Sequence, residues 1–170
     1  MTAIKIWLSD HRWPERVFIG IDREQADTGF RAGAAGGTLN TLSDDSMTQT
    51  ATIQPVNSIV FVHGGGDYDI PVDKLERNGS LVAASSNCLI VCVYPEIDGS
   101  THMTLGRSAD VDPGSTPSFV GELETPQKTL FIDQVDEAVV FTQAVSSTLT
   151  TIRIWFSHPR WPEKVVIGID

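Results

Sequence analysis

Residues 4–22, IKIWLSDHRWPERVFIGID, return as residues 152–170, IRIWFSHPRWPEKVVIGID, and 13 of the 19 paired positions are identical. The six changes are Lys5 to Arg153, Leu8 to Phe156, Asp10 to His158, His11 to Pro159, Arg16 to Lys164 and Phe18 to Val166. Nothing else in the chain restricts the fold as much, because whatever structure one end adopts the other end is written to adopt too. Alternate residues separate into two sets: Ile4, Ile6 and Leu8 against Lys5, Trp7 and Ser9, then Val17, Ile19 and Ile21 against Arg16, Phe18 and Gly20. A period of two is the mark of a half-buried strand. The polar, Pro-bearing stretch 9–15 supplies the turn between two such strands. A helix is ruled out by Pro14, which in mid-helix costs about 3 kcal/mol. Each copy is therefore expected to be a β-hairpin with one aliphatic face.

Between the copies, residues 23–45 are rich in Gly, Ala, Thr and Asp and read as a long loop. Residues 48–62 read as a strand broken near Pro55, which has no amide hydrogen for a ladder. A brief helix is expected over 72–78, ending at Gly79. Strands are expected over 80–84 and 88–94, with a turn at 96–100 and a returning strand at 102–105 that makes another hairpin. The runs SFVGEL, KTLFI, AVVFTQ and LTTIRIWF follow at short, turn-separated intervals. Such spacing belongs to sandwiches and barrels. The expected fold is all-β, an antiparallel β-sandwich of jelly-roll or immunoglobulin-like kind, forming one domain over 1–170 with matching terminal hairpins. Residues 92–106 laid over 6–20, and 51–62 over 130–142, point further to an internal duplication with repeats 4–88 and 89–170.

With 22 acidic and 12 basic residues the formal charge is −10. That balance repels nucleic-acid backbones and anionic membranes, so neither is an expected partner. No run approaches the roughly 20 apolar residues of a membrane span, and the start carries no basic segment followed by an apolar one. The expected setting is cytoplasmic or virion- and particle-associated, without a secretion signal. Cys88 and Cys92 on one strand lie about 13 Å apart, too far for a disulfide, and read as buried thiols. No Cys/His cluster has zinc-ligand spacing, and the acidic pairs Asp44-Asp45, Asp67/Asp69 and Asp110/Asp112 lack the bidentate Glu of a calcium loop. No metal or cofactor is expected.

Two features carry candidate chemistry. The first is SIVFVHGGGDYD, residues 58–69, which resembles the His-Gly-Gly-Gly oxyanion loop of hormone-sensitive-lipase-like esterases. The resemblance implies Gly64 and Gly65 as amide donors to an oxyanion. The chain has no G-x-S-x-G nucleophile elbow, so the expected role is a glycine turn leaving a strand, with an esterase-like hydrolase as a remote alternative. The second feature is the pair of tips, Arg12, Trp13 and Glu15 in one copy and Arg160, Trp161 and Glu163 in the other. Trp on a turn beside Arg and Glu is the composition of protein contact sites and of sugar-stacking platforms. The structural alternative is a Trp folded back over its own hairpin. The expected function is a non-catalytic structural or interaction module forming or joining a symmetric protein assembly, such as a phage or particle component. Its partner would be protein, including copies of itself. A carbohydrate-binding module using the Trp-bearing tips, with a glycan partner, is the alternative.

Overall fold

The computed structural model of the chain describes residues 3–8, 17–22, 48–75, 80–135 and 138–170. The chain divides into two units, Met1–Asp45 and Ser46–Asp170. In the first, β1 (Ala3–Leu8) and β2 (Val17–Asp22) form an antiparallel hairpin pairing Ile4 with Ile21, Ile6 with Ile19 and Leu8 with Val17. In the second, β11 (Leu149–Phe156) and β12 (Lys164–Ile169) pair Ile152 with Ile169, Ile154 with Ile167 and Phe156 with Val165. The two hairpins share one register, residue for residue. The 23–45 loop and the tip bearing Arg12, Trp13 and Glu15 lie outside the described residues.

The second unit is built from two five-stranded sheets. One runs in the order β10 (Val139–Ala144), β9 (Thr129–Gln134), β4 (Ile59–His63), β6 (Cys88–Cys92), β5 (Val82–Ala84). The other runs β3 (Gln49–Ile53), β7 (Thr101–Arg107), β12, β11, β8 (Phe119–Glu124). Val60, Val62, Leu89 and Ile132 of the first sheet share one core with Leu105, Leu123, Ile154 and Ile167 of the second. Period-two alternation aims these side chains inward, and the all-β sandwich expected from the sequence is what forms. Two single-turn α-helices, α1 (Val72–Leu75) and α2 (Ser108–Val111), and a 3-10 turn at Val56–Ser58 complete the described elements. No described helix is long and apolar enough to cross a membrane.

Two expectations change. The sheets are not wholly antiparallel, because β12 runs parallel to β7. Strand β11 runs antiparallel to both β8 and β12, and β12 lies parallel to β7 on its other side. Next, 88–105 is not a hairpin. Strand β6 already has β4 on one side and β5 on the other, leaving no edge for β7, and the chain crosses to the second sheet instead. A similar crossing explains Pro55: β3 and β4 belong to different sheets, joined by a tight turn in which the Ser58 amide donates to the Pro55 carbonyl at 3.0 Å. Both arms of the C-terminal hairpin are paired in mid-sheet. The helix expected over 72–78 is described only as Val72–Leu75.

The run CLIVC of β6 shows why alternation fails as a guide there. Leu89 and Val91 enter the core, while Cys88, Ile90 and Cys92 are also buried, on the opposite face. A strand covered on both sides reads as a continuous apolar run.

Truncating the fully buried Leu123 to Ala is expected to lower unfolding free energy by about 2–5 kcal/mol. Its exposed neighbour Glu122, changed to Ala, stays within about 0.5 kcal/mol. Urea titration of both variants checks the face assignment of β8.

Candidate functional site

The glycine loop after β4 is a packing device. A Cβ on Gly64 would collide with the Glu124 carbonyl oxygen and lie 2.6 Å from the Thr125 Cα, so bare backbone is needed where β4 passes the end of β8. Gly65 and Gly66 turn the chain at φ +82° and +71°, which glycine adopts without penalty. The Gly65 amide, one of the two donors implied by the esterase resemblance, donates to His63 Nδ1 at 3.1 Å. With Nδ1 accepting, the ring proton sits on Nε2 and is donated to Asp133 Oδ2 at 2.9 Å. The ring stacks on Tyr68 at 4.1 Å between centroids and on Phe131 at 5.5 Å.

Cys88 stands opposite His63 in the β4–β6 register, giving the outline of a Cys-His-Asp triad. The chemistry fails on two counts. Both imidazole nitrogens are engaged elsewhere, so neither is free to take the thiol proton. The Cys88 thiol is pushed up to about 12, first by burial and then by the charge of Asp69, so the thiolate nucleophile is suppressed. The arrangement braces the Gly64–Gly66 turn against β9. The two cysteines are free and buried, as the sequence implied.

A different region is open. Ser157, His158, Trp161 and Glu163 of the β11–β12 tip line a groove of about 580 Å³ with Tyr94 and Asp98 of the loop that crosses between the sheets. The tip is held from within. The Ser157 amide donates to the Lys164 carbonyl and the Lys164 amide to Ser157 Oγ, both at 3.0 Å. His158 Nδ1 accepts the amides of Arg160 at 3.2 Å and Trp161 at 3.0 Å, capping the turn. The Arg160 guanidinium lies 5.2 Å from the Trp161 ring centroid, a cation–π contact that steadies the indole. Beneath the tip, the His102 amide donates to the Glu163 carbonyl at 2.8 Å, anchoring it to the start of β7.

The opposite wall is equally determined. The amides of Asp98 and Gly99 both donate to the Pro95 carbonyl, and the Tyr94 amide donates to Thr101 Oγ1 at 3.0 Å. The Tyr94 ring lies so close under Gly99 that a Cβ there would sit 3.2 Å from Cε1. Beside Asp98, Ile97 is 89 % exposed, and Trp161 is 40 % exposed. Two aromatic rings, two carboxylates and an imidazole thus face one open groove, able to stack flat groups and accept hydrogen bonds.

Of the residues singled out in the sequence, Trp161 and Glu163 line the groove and Arg160 covers the Trp161 ring. Trp155, by contrast, is buried and donates from Nε1 to the Ser115 carbonyl at 2.8 Å. Tyr94, Asp98 and His158 were not foreseen, because the groove exists only where the inter-sheet loop meets the tip. The one local signal was Tyr-Pro-Glu-Ile-Asp, an aromatic and an aliphatic residue on a turn. Two of the acidic loop residues do local work: Asp110 pairs with Arg107 at 2.9 Å and Asp112 accepts the Gly114 amide at 2.7 Å, while Asp44-Asp45 lie outside the described residues. Among the described residues no group of three or more His, Cys, Asp or Glu is placed to hold a metal ion.

Comparison with family models and with curated proteins finds no match. Among solved structures, the chain is similar in fold to ComJ from Bacillus subtilis, described as an inhibitor of the DNA degrading activity of NucA. The likeness covers 74 % of this chain and 96 % of that one, with a TM-score of 0.52 and 8 % identity. At that identity it is a likeness of fold.

The Cys88 thiol makes a pH prediction. Its folded pKa, about 12, is raised above the ordinary 9.0, so the folded chain keeps a proton the unfolded chain releases. The stability this contributes is intact below pH 9 and is lost as pH rises toward 12, on the order of 4 kcal/mol across the window. Urea midpoints measured from pH 7 to 11 should fall above 9, and the fall should shrink in Cys88→Ala.

Proposed function

We propose that the chain is a non-catalytic module that binds a protein partner through the groove between the β11–β12 tip and the Tyr94–Asp98 loop. The observation that carries this reading is the half-exposed Trp161 indole, held in place by Arg160 and by the His158 cap, with Tyr94 in the same groove and exposed Ile97 on the adjoining loop. Trp, Tyr and Arg are the residues that dominate binding energy at protein interfaces, and a side chain already immobilised loses little entropy on binding. The formal charge of −10 favours a partner with a basic surface, by steering encounter and rejecting acidic competitors. The fold's likeness to ComJ, which inhibits another protein's activity, supports a protein partner in general.

Self-association into a symmetric assembly, such as a phage or particle component, is the more specific form of this reading. A rise in particle mass between nanomolar and micromolar concentration, read by light scattering and lost in Trp161→Ala, would mark it. A glycan is the second reading, favoured by Tyr94 and Trp161 sharing a groove with Asp98 and Glu163.

For the partner retained by the wild-type chain, Trp161→Ala is expected to weaken binding by about 2 kcal/mol, roughly thirtyfold, measured by calorimetry. Tyr94→Ala should do the same, and Glu122→Ala on the far strand should do nothing. Unchanged affinity in both aromatic variants overturns the groove as the binding surface. Binding of an oligosaccharide array with no protein retained would move the assignment to the glycan.

A further inference from the structure

The β11–β12 hairpin fills a slot in the second sheet, with β8 on one side and β7 on the other. Its buried aliphatic residues are Ile152, Ile154, Val165, Ile167 and Ile169, each 7 % exposed or less. The first hairpin carries Ile4, Ile6, Val17, Ile19 and Ile21 at those places, without a single change. Gly168 is required because a Cβ would lie 2.7 Å from Ser108 Oγ of α2, and the first hairpin has Gly20 there. Trp155, also buried, corresponds to Trp7. All six differences fall where the slot is permissive: Arg153, Phe156 and Val166 are half-buried, and His158, Pro159 and Lys164 are exposed. Every residue that the slot buries is thus present in both copies, and the two backbones have the same register.

The slot is also within reach of the chain's own N-terminal segment. Strand β12 ends with Ile169 beside Arg107, at the end of β7, while β3 begins with Gln49 beside Leu105, on the other side of β7 near the same end. A strand in β12's place therefore finishes about 10 Å, two strand spacings, from where β3 starts. The 26 residues from 23 to 48 span up to about 85 Å when extended, far more than the gap.

We propose that the slot has two occupants: the β1–β2 hairpin of the same chain can replace β11–β12 between β7 and β8. The exchange trades one fully buried aliphatic face for the same face; of the hairpin's partly buried residues packed against the core, only Phe156 changes, to Leu8. Being carried on the same chain raises the hairpin's effective concentration at the slot, which favours the chain's own copy over a second molecule's at micromolar protein. Exchange also alters the groove, because the sequence puts Asp10 where His158 stands and His11 where Pro159 stands. The tip sequence then carries a carboxylate in place of an imidazole, which makes the groove more acidic. This last consequence rests on the groove being the binding surface; the exchange does not.

The test is a cross-link in the full chain. Arg153 is the register partner of Val120 across β11 and β8, so after exchange Lys5 takes that place. In Lys5→Cys/Val120→Cys under mild oxidation, the expected product is a disulfide within one chain, identified by mass spectrometry of the linked peptide and running as monomer. The control Lys5→Cys/Val139→Cys, on the edge strand of the other sheet, should not form one. No cross-link above the control overturns the proposal, and a cross-link found only between chains overturns it in favour of swapping between copies. A second reading uses redundancy. Ile154→Asp alone should keep a cooperative unfolding transition, and Ile6→Asp/Ile154→Asp should lose it. If the single variant is as unfolded as the double, no exchange occurs. Neither measurement involves a partner, so loss of the groove assignment would leave both unaffected.

Discussion

The aliphatic face of the β11–β12 hairpin is the interaction on which the second unit depends. Five side chains, Ile152, Ile154, Val165, Ile167 and Ile169, leave water almost completely. Burying each is worth about 1.5–3 kcal/mol, so together they match the whole net stability of an ordinary domain, about 5–15 kcal/mol. Among the described residues it is also the hairpin that joins β7 to β8 within the sheet, since the two have no ladder with each other. Without it the second sheet falls into a β3–β7 pair and an isolated strand, and the tip that forms one wall of the groove has no footing.

This dependence explains which parts of the structure were legible in the sequence. Period-two patterning is a local property, and it located the hairpin arms, β3 with its break at Pro55, and the strands from β8 onward, while β6 was legible as a continuous apolar run. Pairing is not local. Nothing in VYPEIDGSTH distinguishes a hairpin turn from a crossing between sheets; what decides is that β6 has both edges taken by β4 and β5, two strands separated from it in sequence. The same limit hid the groove. Trp161 and Glu163 were visible as an unusual tip, but Tyr94 and Asp98 join them only because the crossing loop arrives at the end of β7 to which the tip is tied through His102 and Glu163.

Two clusters of polar and aromatic residues illustrate why residue types alone do not make a site. His63, Asp133, Cys88, Tyr68 and Phe131 include the ingredients of nucleophilic catalysis, yet the His63 nitrogens are both satisfied and the thiol is held protonated by burial. The imidazole therefore has no nitrogen left to take a proton from a nucleophile, although Asp133 Oδ1 is buried without a hydrogen-bond partner. At the tip the bonds run the other way. Backbone amides satisfy Ser157 and one nitrogen of His158, which fixes the loop, while the Trp161 face and the carboxylates of Asp98 and Glu163 remain directed at open space. Rigidity supplied by the backbone and capacity left on the side chains are what a recognition surface needs.

The hairpin separates these two demands along its own length. Its arms answer to the core, where an error in one aliphatic residue costs about 2–5 kcal/mol, while exposed changes stay near 0.5 kcal/mol. A tip substitution is therefore close to free in folding energy, provided that something still accepts the turn amides, as His158 does and an aspartate can. It follows that tip chemistry varies independently of docking. In the two copies carried by this chain, the arms keep every residue that β11–β12 buries while the tip sequence replaces an imidazole with a carboxylate, so the constraint of the core and the freedom of the tip are both written in the repeat.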